Sequence, residues 1–451
     1  MSEILRSVGL DVGTTSTQLI FSELTVENRA SSFAVPELEI AHREIIYKSP
    51  VHFTPLVEEN LVDATALRNL VEEEYRAAGI SRNSVDTGAV IITGETSRKE
   101  NARAVLEALA DLAGDFVVAT AGPDLESVLA ARGAGAVEYS RITGKPVVHM
   151  DIGGGTSNLA LIRDGKVLQT TCLNVGGRLI KYDEKKVITY VSPVLKGIFD
   201  VKVGETMEKR IAEAVSDILV QALEMAVGLR PVTALLTKLT TKEAVSDWQI
   251  PTEAVVISFS GGVADCIGEE KAWDAFGDMG PDLGQAIRRS RLCHGEYVLG
   301  SETIRATVIG AGCHSTQLSG STVFYRNVQF PLKNVPVVEI FNVSAGEIRK
   351  ELQKQEGPAI LAMSGISAPS YQQVAALAEK ILAGTGDLPV LVCLEADMAK
   401  ALGQALALRS SPQRQILCID GVKVGIGSFL DIGIPIGPAL PVVIKTLILS
   451  R

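Results

Sequence analysis

The stretch DIGGGTSNLALI, residues 151–162, places an acid and three consecutive glycines between two apolar runs. Glycines allow backbone N–H groups to approach a bulky anion, and the following Thr156 and Ser157 add hydroxyl donors to the same concavity. This pattern indicates a phosphate-binding turn. Glycine clusters between strand-like runs are also typical of a plain β-hairpin, so the segment alone leaves both interpretations open.

The same pattern occurs a second time near the beginning of the chain. In VGLDVGTTSTQLIF, residues 8–21, Asp11 and Gly13 fall 140 positions before Asp151 and Gly153. This internal repeat predicts two similar half-molecules, each with a hairpin whose turn binds phosphate. An Asp before such a turn suits a hydrated Mg²⁺ ion, because Mg²⁺ keeps several waters and takes few carboxylate ligands.

A third DIG, residues 431–433, serves as a comparison for chance matches. It is followed by Pro435 and Pro438, which lack the backbone donors that a phosphate turn needs. We interpret this third copy as a coincidence.

Composition indicates an acidic α/β protein. The chain has 451 residues, of which 46% are hydrophobic and 5% aromatic, and its formal net charge is −10. This length predicts two or three domains. The negative charge argues against a nucleic-acid partner, since such surfaces need Lys and Arg to neutralise phosphates. The sequence shows neither a secretory signal nor a membrane-spanning apolar run, so we expect a cytoplasmic protein without a membrane partner.

The six cysteines form no CxxC pair and are expected to be reduced and mostly buried. Cys293-His294 and Cys313-His314 invite a zinc hypothesis. Adjacent residues point apart in regular structure, however, and zinc-like ligand spacing is missing.

Alternating strand and helix patterns predict sheets covered by helices. The apolar spacing in residues 61–79 predicts a helix closed by Gly79, and a domain boundary is expected near Lys145. Residues 203–228 give the longest amphipathic helix candidate. Beyond Pro331, the runs PAILAMSG, LPVLVCLE and RQILCID are predicted strands of a further α/β region.

Two glycine-containing segments follow in the second half. AVVISFSGGVADCI, residues 254–267, is a buried-strand pattern that stops at Gly261 and Gly262, which lets a flat ring lie against the backbone. An ordinary strand-to-helix turn is the alternative. RATVIGAGCHSTQLSG, residues 305–320, resembles a dinucleotide fingerprint only weakly, because the third glycine and the later acid are missing. Close helix packing explains its glycines better.

Taken in order, these segments resemble the five motifs of the actin, sugar-kinase and heat-shock-chaperone ATPase superfamily. The resemblance implies an α/β fold of two related actin-like, ribonuclease H-like halves with an interdomain nucleotide cleft, plus a C-terminal α/β extension. The corresponding domains are residues 1–145, 146–318 and 319–451. The motifs are the two Asp-containing turns, a Gly- and Ala-rich helix over 122–136, the glycine pair 261–262 and the segment 305–313. The implied nucleotide-binding residues are Gly13, Thr14, Thr15, Gly153, Gly154, Gly155, Thr156, Gly261 and Gly262, and the implied catalytic residues are Asp11 and Asp151, which hold Mg²⁺ mainly through water.

Within that superfamily the whole chain resembles the ethanolamine ammonia-lyase reactivating factor family, including its C-terminal DIGIPIGPALPVVIKTLIL. This resemblance implies a chaperone-like protein that uses ATP and Mg²⁺ to help an adenosylcobalamin-dependent lyase exchange damaged cobalamin for intact coenzyme. The implied partner is the lyase holoenzyme with bound cobalamin. The implied location is the cytoplasm, and association with a bacterial microcompartment stays open.

One position departs from the superfamily pattern. Heat-shock chaperone ATPases carry a Glu just before the Pro that opens the first connecting helix, and this chain has Gly122 before Pro123. Asp124 and Glu126 are candidate replacements. We therefore expect a slow ATPase, which suits a conformational switch that changes the affinity for a partner.

A small-molecule kinase of the same fold and an actin-like filament protein are the competing functions. A kinase needs a base within hydrogen-bond reach of the acceptor hydroxyl, and the sequence assigns no carboxylate to that role. The D-x-H-x-x-G pattern of a cobalt-ligating His is absent around all five histidines. This favours action on the lyase holoenzyme over carriage of the cofactor.

Overall fold

The described residues form two compact units. The first unit is residues 1–92, 96–120 and 315–451, and the second is 93–95 and 121–314. The three-part division predicted from the sequence stays a prediction. The computed structural model describes residues 3–13, 16–28, 38–58, 61–92, 105, 109, 118–120, 123–241, 248–252, 254–300, 302–314, 316–319, 322–341, 343–355, 357–422, 428–435 and 439–446.

The N-terminal part of the first unit is a mixed sheet. Its strands and an adjoining small ribbon are β1 (Glu3–Val12), β2 (Ser16–Asn28), β3 (Leu38–Lys48), β4 (His52–Phe53), β5 (Leu56–Glu58), β6 (Leu61–Val62), β7 (Thr87–Ile92) and β8 (Val118–Thr120). The sheet order is β3-β2-β1-β7-β8, with β4 paired to β2 and a separate β5-β6 ribbon. β1 and β2 form an antiparallel hairpin, and β1 pairs in parallel with β7 on its other side.

Helix α1 (Ala64–Ala78) covers this sheet with the apolar face predicted from the sequence. Leu67 and Val71 on that face are buried in the same core as the central strands. Asp63 caps the helix N-terminus with a side-chain hydrogen bond of 2.9 Å. Gly79, with a φ of 68°, ends the helix in the left-handed conformation, so the predicted glycine end is confirmed.

The second unit contains a sheet with the same strand order as the first. Its strands are β9 (Val147–Ile152), β10 (Ser157–Arg163), β11 (Lys166–Leu173), β12 (Ile180–Tyr182), β13 (Ile188–Val191), β14 (Val256–Ser260) and β15 (Tyr297–Leu299). The order is β11-β10-β9-β14-β15, and β12 and β13 form a separate ribbon. β9 again pairs antiparallel with the next strand and parallel with β14. The sequence repeat therefore corresponds to a repeated sheet.

Helices cover both faces of the second sheet. They are α2 (Pro123–Gly133), α3 (Ala136–Thr143), α4 (Lys209–Ala226), α5 (Ala234–Leu239), α6 (Gly262–Gly268), α7 (Gly280–Arg289) and α8 (Ala306–His314). Helices α4, α6 and α7 pack in one core with one face, while α2 and α3 contribute to a smaller core on the other. Short 3-10 helices lie at Arg82–Ser84, Pro193–Leu195 and Arg291–Cys293. Among the described residues, no helix combines the length and apolar character that crossing a membrane requires.

The single helix expected over 122–136 is instead two helices. α2 ends at Gly133 and α3 begins at Ala136. Between them Gly135 has a φ of 79°, a left-handed conformation that interrupts a right-handed helix.

The C-terminal part of the first unit is a second mixed sheet with three helices. Its strands are β16 (Thr316–Leu318), β17 (Phe324–Arg326), β18 (Leu332–Glu339), β19 (Ile360–Met363), β20 (Val390–Leu394), β21 (Ile416–Asp420), β22 (Ser428–Ile432) and β23 (Pro441–Thr446), and its helices are α9 (Ala345–Leu352), α10 (Tyr371–Thr385) and α11 (Ala399–Arg409). The sheet order is β16-β23-β22-β18-β19-β20-β21-β17. β18 to β21 are parallel and are joined by the helices. The three predicted strands are confirmed as β19, β20 and β21, and so is the α/β fold class, with two sheets of the same strand order and a C-terminal α/β region.

The cysteines are free thiols, as the sequence predicts. Five are buried and Cys293 is half-buried.

Candidate functional site

Both copies of the sequence repeat form the same tight hairpin turn. The Gly13 N–H donates to the Ser16 carbonyl oxygen at 2.9 Å, and the Gly153 N–H donates to the Thr156 carbonyl oxygen at 3.0 Å. The third DIG differs, because Gly433 bonds to a carbonyl eight positions later, at Pro441. The short turn is therefore specific to the two repeats.

The acid of each repeat occupies the same place in its hairpin. Asp11 lies opposite Gln18 in the β1–β2 register, and Asp151 lies opposite Asn158 in the β9–β10 register. Asp11 is half-buried and Asp151 is buried. Residues opposite each other in an antiparallel pair share a face, so each carboxylate has a carboxamide beside it.

The turn of the first unit is fixed by a threonine of the same unit. The Thr54 hydroxyl donates to the Gly13 carbonyl oxygen at 2.8 Å and lies 3.1 Å from the Thr17 hydroxyl. This contact holds the carbonyl group of the turn in one orientation. Thr14 and Thr15, which the sequence predicts as nucleotide-binding residues, lie outside the described residues.

The glycine turn of the second unit leaves its outer side open. A Cβ atom placed on Gly155 would meet no atom within 4 Å, and one on Gly153 would meet only the Thr156 carbonyl oxygen at 3.7 Å. The N–H groups of Gly154, Gly155 and Thr156 make no hydrogen bond to another described residue. None of these glycines has a positive φ. They therefore provide close approach, and the three N–H groups, which bond to no other described residue, are donors suited to an anion.

A second glycine pair packs against the back of this turn. The Gly177 N–H donates to the Gly153 carbonyl oxygen at 3.0 Å, and the Arg178 N–H donates to the Gly154 carbonyl oxygen at 2.6 Å. A Cβ atom on Gly176 would lie 2.3 Å from that same Gly154 oxygen. Glycine is therefore required at 176 for the two segments to approach each other.

Arg178 lies beside the turn, and sequence reasoning missed it. A Cβ atom on Gly154 would lie 3.2 Å from the Arg178 Cδ. The Arg178 Nε donates to Asp278 Oδ2 at 3.1 Å, and Asp278 Oδ1 accepts from the Gly280 N–H at 2.8 Å. Burial raises the pKa of Asp278, while the Gly280 N–H and Arg178 oppose that shift. The available sequence signal was the GGR of 176–178, a glycine pair followed by a cation.

Asp151 is surrounded by hydroxyl donors. Ser260 Oγ donates to Asp151 Oδ1 at 2.5 Å, and Thr307 Oγ1 donates to Oδ2 at 3.4 Å. Burial raises the pKa of Asp151, and these two hydrogen bonds oppose the shift. Beside it, Asn158 Oδ1 is buried and has no hydrogen-bond partner among the described residues. Carboxylate and carboxamide oxygens are the ligand type that Mg²⁺ prefers, so this pair fits a hydrated Mg²⁺ ion.

The two glycines of the predicted pair differ in their surroundings: Gly261 packs against another strand, and Gly262 faces open space. Gly261 has a φ of 86°, and a Cβ atom there would lie 2.3 Å from the Ile152 carbonyl oxygen. It thereby lets the end of β14 contact the end of β9, next to the turn. A Cβ atom on Gly262 would meet only Ile304 Cδ1 at 4.0 Å. Contact of the pair with an adenosine ring stays a prediction. The open space beside Gly262 is compatible with it.

Gly310, in the segment 305–313, lets two helices pack closely together. A Cβ atom on Gly310 of α8 would lie 2.1 Å from the Leu129 carbonyl oxygen of α2, and one on Gly133 of α2 would lie 1.9 Å from the Ala306 carbonyl oxygen of α8. The helix-packing interpretation of Gly310 is confirmed.

The candidate replacements for the missing Glu are only partly described. Glu126 lies in the first turn of α2 and is half-buried. Gly122 and the side chain of Asp124 lie outside the described residues.

Comparison with known proteins identifies relatives along the whole chain. A sequence model of the family described as ethanolamine utilisation protein EutA matches residues 3–450. The ethanolamine ammonia-lyase reactivase EutA of Salmonella typhimurium strain LT2 is 38% identical over 467 residues, which cover 98% of each chain. The protein of the same name from Escherichia coli strain K12 is 38% identical over 474 residues, again covering 98% of each.

Solved structures also resemble the chain, at low sequence identity. The PPX-GPPA enzyme of Aquifex aeolicus has a TM-score of 0.42 and 14% identity, over 68% of this chain and 99% of that one. The ethanolamine utilization protein EutJ of Carboxydothermus hydrogenoformans has a TM-score of 0.34 and 19% identity, over 68% of this chain and 88% of that one.

Proposed function

The chain belongs to the EutA family of ethanolamine utilisation proteins, and from that premise we propose that it is a chaperone-like reactivating factor for adenosylcobalamin-dependent ethanolamine ammonia-lyase. It uses ATP and Mg²⁺ to promote exchange of damaged cobalamin for intact coenzyme. The two bacterial relatives support this proposal, since both are named reactivases of that lyase and match it over nearly their whole length.

The duplicated turn is the observation that carries the nucleotide part of the proposal. Both copies close with the same backbone hydrogen bond and place an Asp beside a carboxamide. In the second copy, three N–H groups bond to no other described residue, and the Cβ direction of Gly155 is open. Successive N–H groups of this kind bind phosphate oxygens, and a neighbouring carboxylate binds the cation that accompanies them.

Residues in and beside the second turn have proposed roles in this binding. The N–H groups of Gly154 and Gly155 bind phosphate oxygens, and Arg178 neutralises part of their charge. Asp151 and Asn158 hold the waters of a Mg²⁺ ion, which when bound offsets the negative charge of carboxylate and phosphates. The remaining proposed nucleotide-binding residues are Gly13, Thr14, Thr15, Gly153, Thr156, Gly261 and Gly262, with Asp11 as the second Mg²⁺-holding acid. The cleft between the halves stays a prediction.

The proposed output of ATP binding is a change in affinity for the lyase. A ligand shifts a conformational equilibrium only by the difference in its affinity for the two states. Slow hydrolysis, proposed from Gly122 in place of a Glu, gives each state time to act on the partner. The proposed partner is the lyase holoenzyme with bound cobalamin, in the cytoplasm or in a bacterial microcompartment.

Recovery of activity by inhibited lyase tests the proposal. Lyase holoenzyme inhibited with cyanocobalamin is incubated with the protein, ATP, Mg²⁺ and adenosylcobalamin, and deamination of ethanolamine is followed. We expect recovery with ATP and Mg²⁺ together, and none when ADP replaces ATP or when Mg²⁺ is chelated. Asp11→Asn and Asp151→Asn should each reduce the recovery and weaken its dependence on Mg²⁺.

A control variant distinguishes loss of the nucleotide site from a general effect of substitution on the fold. Ser216→Ala removes a buried hydroxyl on α4 that has no hydrogen-bond partner among the described residues, and it should leave recovery unchanged. No recovery with the wild-type protein in any nucleotide condition would reject the proposed function.

A further inference from the structure

Four buried polar side chains lie in one row beneath the second turn. His149 and Asp151 are on β9, and Ser258 and Ser260 are on the parallel strand β14. The register places Ser258 beside His149 and Ser260 beside Asp151. Alternate residues of a strand share one face of the sheet, so all four side chains are on the same face. Each residue is at most 7% exposed.

These side chains form one continuous chain of hydrogen bonds. Ser260 Oγ donates its single proton to Asp151 Oδ1. Its other hydrogen bond, 2.9 Å long, must therefore be donated by His149 Nε2. His149 Nδ1 then carries no proton and accepts from Ser258 Oγ at 3.0 Å. An ionised Asp151 thus selects one direction for the chain and one tautomer of a neutral His149.

The first unit builds the same hairpin and turn without this row. On its parallel strand, Ile91 pairs with Asp11 and Ala89 pairs with Gly9. None of the three partners Gly9, Ala89 and Ile91 has a side chain that can form hydrogen bonds. The polar row is therefore not required to form a β-hairpin with this turn, and its presence in the second unit needs another explanation.

We infer that His149 and Ser260 are positioning residues that hold the Asp151 carboxylate in the orientation that binds the waters of Mg²⁺. The inference rests on the proposed function. Burial of polar side chains is unfavourable unless they are hydrogen-bonded, and a fully bonded network keeps its members in one geometry. Thr307 holds the second carboxylate oxygen only at 3.4 Å. The orientation of Asp151 therefore depends chiefly on Ser260, whose own hydroxyl is oriented by His149.

Calorimetric titration of the full-length protein with ATP, with and without Mg²⁺, measures the effect of this network. Loss of an outer-shell partner lowers metal affinity about ten- to a hundredfold. We expect Ser260→Ala to reduce the gain in ATP affinity on adding Mg²⁺ by about tenfold or more. Ser260→Thr keeps the hydroxyl and should restore most of the gain, and His149→Leu should resemble Ser260→Ala. Circular dichroism establishes that each variant is folded.

Nitrogen-15 NMR of the histidines provides a readout that needs no nucleotide. The inference requires that Ser260→Ala changes the His149 signals, because the Ser260 hydroxyl lies 2.9 Å from His149 Nε2. Comparison with His149→Leu assigns them. Unchanged His149 signals in Ser260→Ala would overturn the inference. It would also be overturned if Ser260→Ala bound Mg²⁺ and ATP as well as the Ser216→Ala control.

Failure of the proposed function gives a different result. In that case the wild type would show no binding of ATP at any Mg²⁺ concentration, whereas the NMR signals of the free protein would still show whether Ser260 contacts the His149 ring.

Discussion

Arg178 is held beside the second glycine turn by Asp278, whose Oδ2 accepts a hydrogen bond from the Arg178 Nε at 3.1 Å. The same carboxylate accepts the N–H of Gly280 at the start of α7. The Arg178 side chain nevertheless remains 37% exposed. A guanidinium that is already ordered and still accessible is suited to phosphate, because little conformational freedom is lost on binding.

Replacement of this arginine should weaken ATP binding. We expect Arg178→Ala to raise the Kd for ATP about tenfold, because one hydrogen bond to a charged group contributes about 1.5 kcal/mol or more. The Kd of Arg178→Lys should lie between those of the wild type and Arg178→Ala, since an ammonium group cannot form the paired contacts of a guanidinium. Calorimetric titration measures both. Arg210→Ala, an exposed arginine at the start of α4, is the control, and equal Kd values for Arg178→Ala and this control would contradict the prediction.

Addition of a methyl group to the open side of the turn should affect the ligand and leave the fold unchanged. A Cβ atom on Gly155 meets no protein atom within 4 Å, so we expect Gly155→Ala to keep the wild-type Tm within about 2 °C. Its methyl group should instead occupy space needed by the phosphates and weaken ATP binding about tenfold or more. Gly346→Ala, which also meets no atom within 4 Å, is the matched control. Unchanged ATP affinity in Gly155→Ala would place the phosphates elsewhere.

A larger residue at the neighbouring glycine should remove the nucleotide dependence of lyase binding. In Gly154→Val the new Cβ atom would lie 3.2 Å from the Arg178 Cδ, so the side chain crowds Arg178 and narrows the phosphate turn. For the wild type we expect lyase affinities with ADP and with a non-hydrolysable ATP analogue to differ at least tenfold, about 1.4 kcal/mol. For Gly154→Val the two affinities should be equal. Surface-immobilised lyase provides the measurement, and equal wild-type affinities would remove the energetic basis of the switch.

Gly261 should be important for stability. Gly261→Ala introduces a Cβ atom 2.3 Å from the Ile152 carbonyl oxygen at a φ of 86°, and we expect it to lower the free energy of unfolding by about 3 kcal/mol or more. Gly204→Ala has a similar φ of 92° but meets no atom within 4 Å, so its cost should be about 1 kcal/mol. Urea unfolding compares the two. Equal losses would mean that backbone conformation alone, without the contact to β9, explains the effect.

Asp282 should make stability depend on pH. Burial, with a contribution from Glu213, raises its pKa to about 6, against the opposing charges of Lys209 and Arg289. Because its pKa is raised in the folded state, Asp282 contributes fully to the free energy of unfolding below about pH 4. This contribution is lost as the pH rises through 6.

Asp282→Asn removes this titration. We expect the free energy of unfolding of the variant, minus that of the wild type, to increase by about 2 kcal/mol as the pH rises from 4 to 8. Denaturant unfolding at a series of pH values measures the difference. The control is Asp217→Asn on the exposed side of α4. A constant difference between Asp282→Asn and the wild type across this range would show that the prediction is wrong.

The sequence predicted the features that depend on local chemistry. The spacing of Asp11 and Gly13 against Asp151 and Gly153 was sufficient to find both hairpins, because turn residues and strand patterns act over a few positions. The two sheets then follow from the repeat. Gly79 could likewise be assigned as a helix end, since a glycine after an apolar periodic run is typical of that position.

Features that depend on distant pairing could not be found in this way. The His149 contacts require strands whose residues lie 109 and 111 positions apart, and no local pattern gives that register. Arg178 reaches the turn only because the 176–178 segment folds back against it. The glycine pair 261–262 shows no local sign that a Cβ atom on Gly261 would meet the Ile152 carbonyl oxygen of a distant strand. Gly135 and Gly133 are both glycines of one short segment, and composition could not show which of them interrupts the helix.

Helices α2 and α8 touch backbone to backbone at two points, where Gly133 and Gly310 each meet a carbonyl oxygen of the other helix. These two close approaches should prevent the helices from sliding, because sliding would bring a residue with a Cβ atom against the carbonyl oxygen that now faces a glycine. Thr307 in the first turn of α8 donates to Asp151. This contact therefore connects the carboxylate to a pair of helices that we expect to move together rather than to slide past each other.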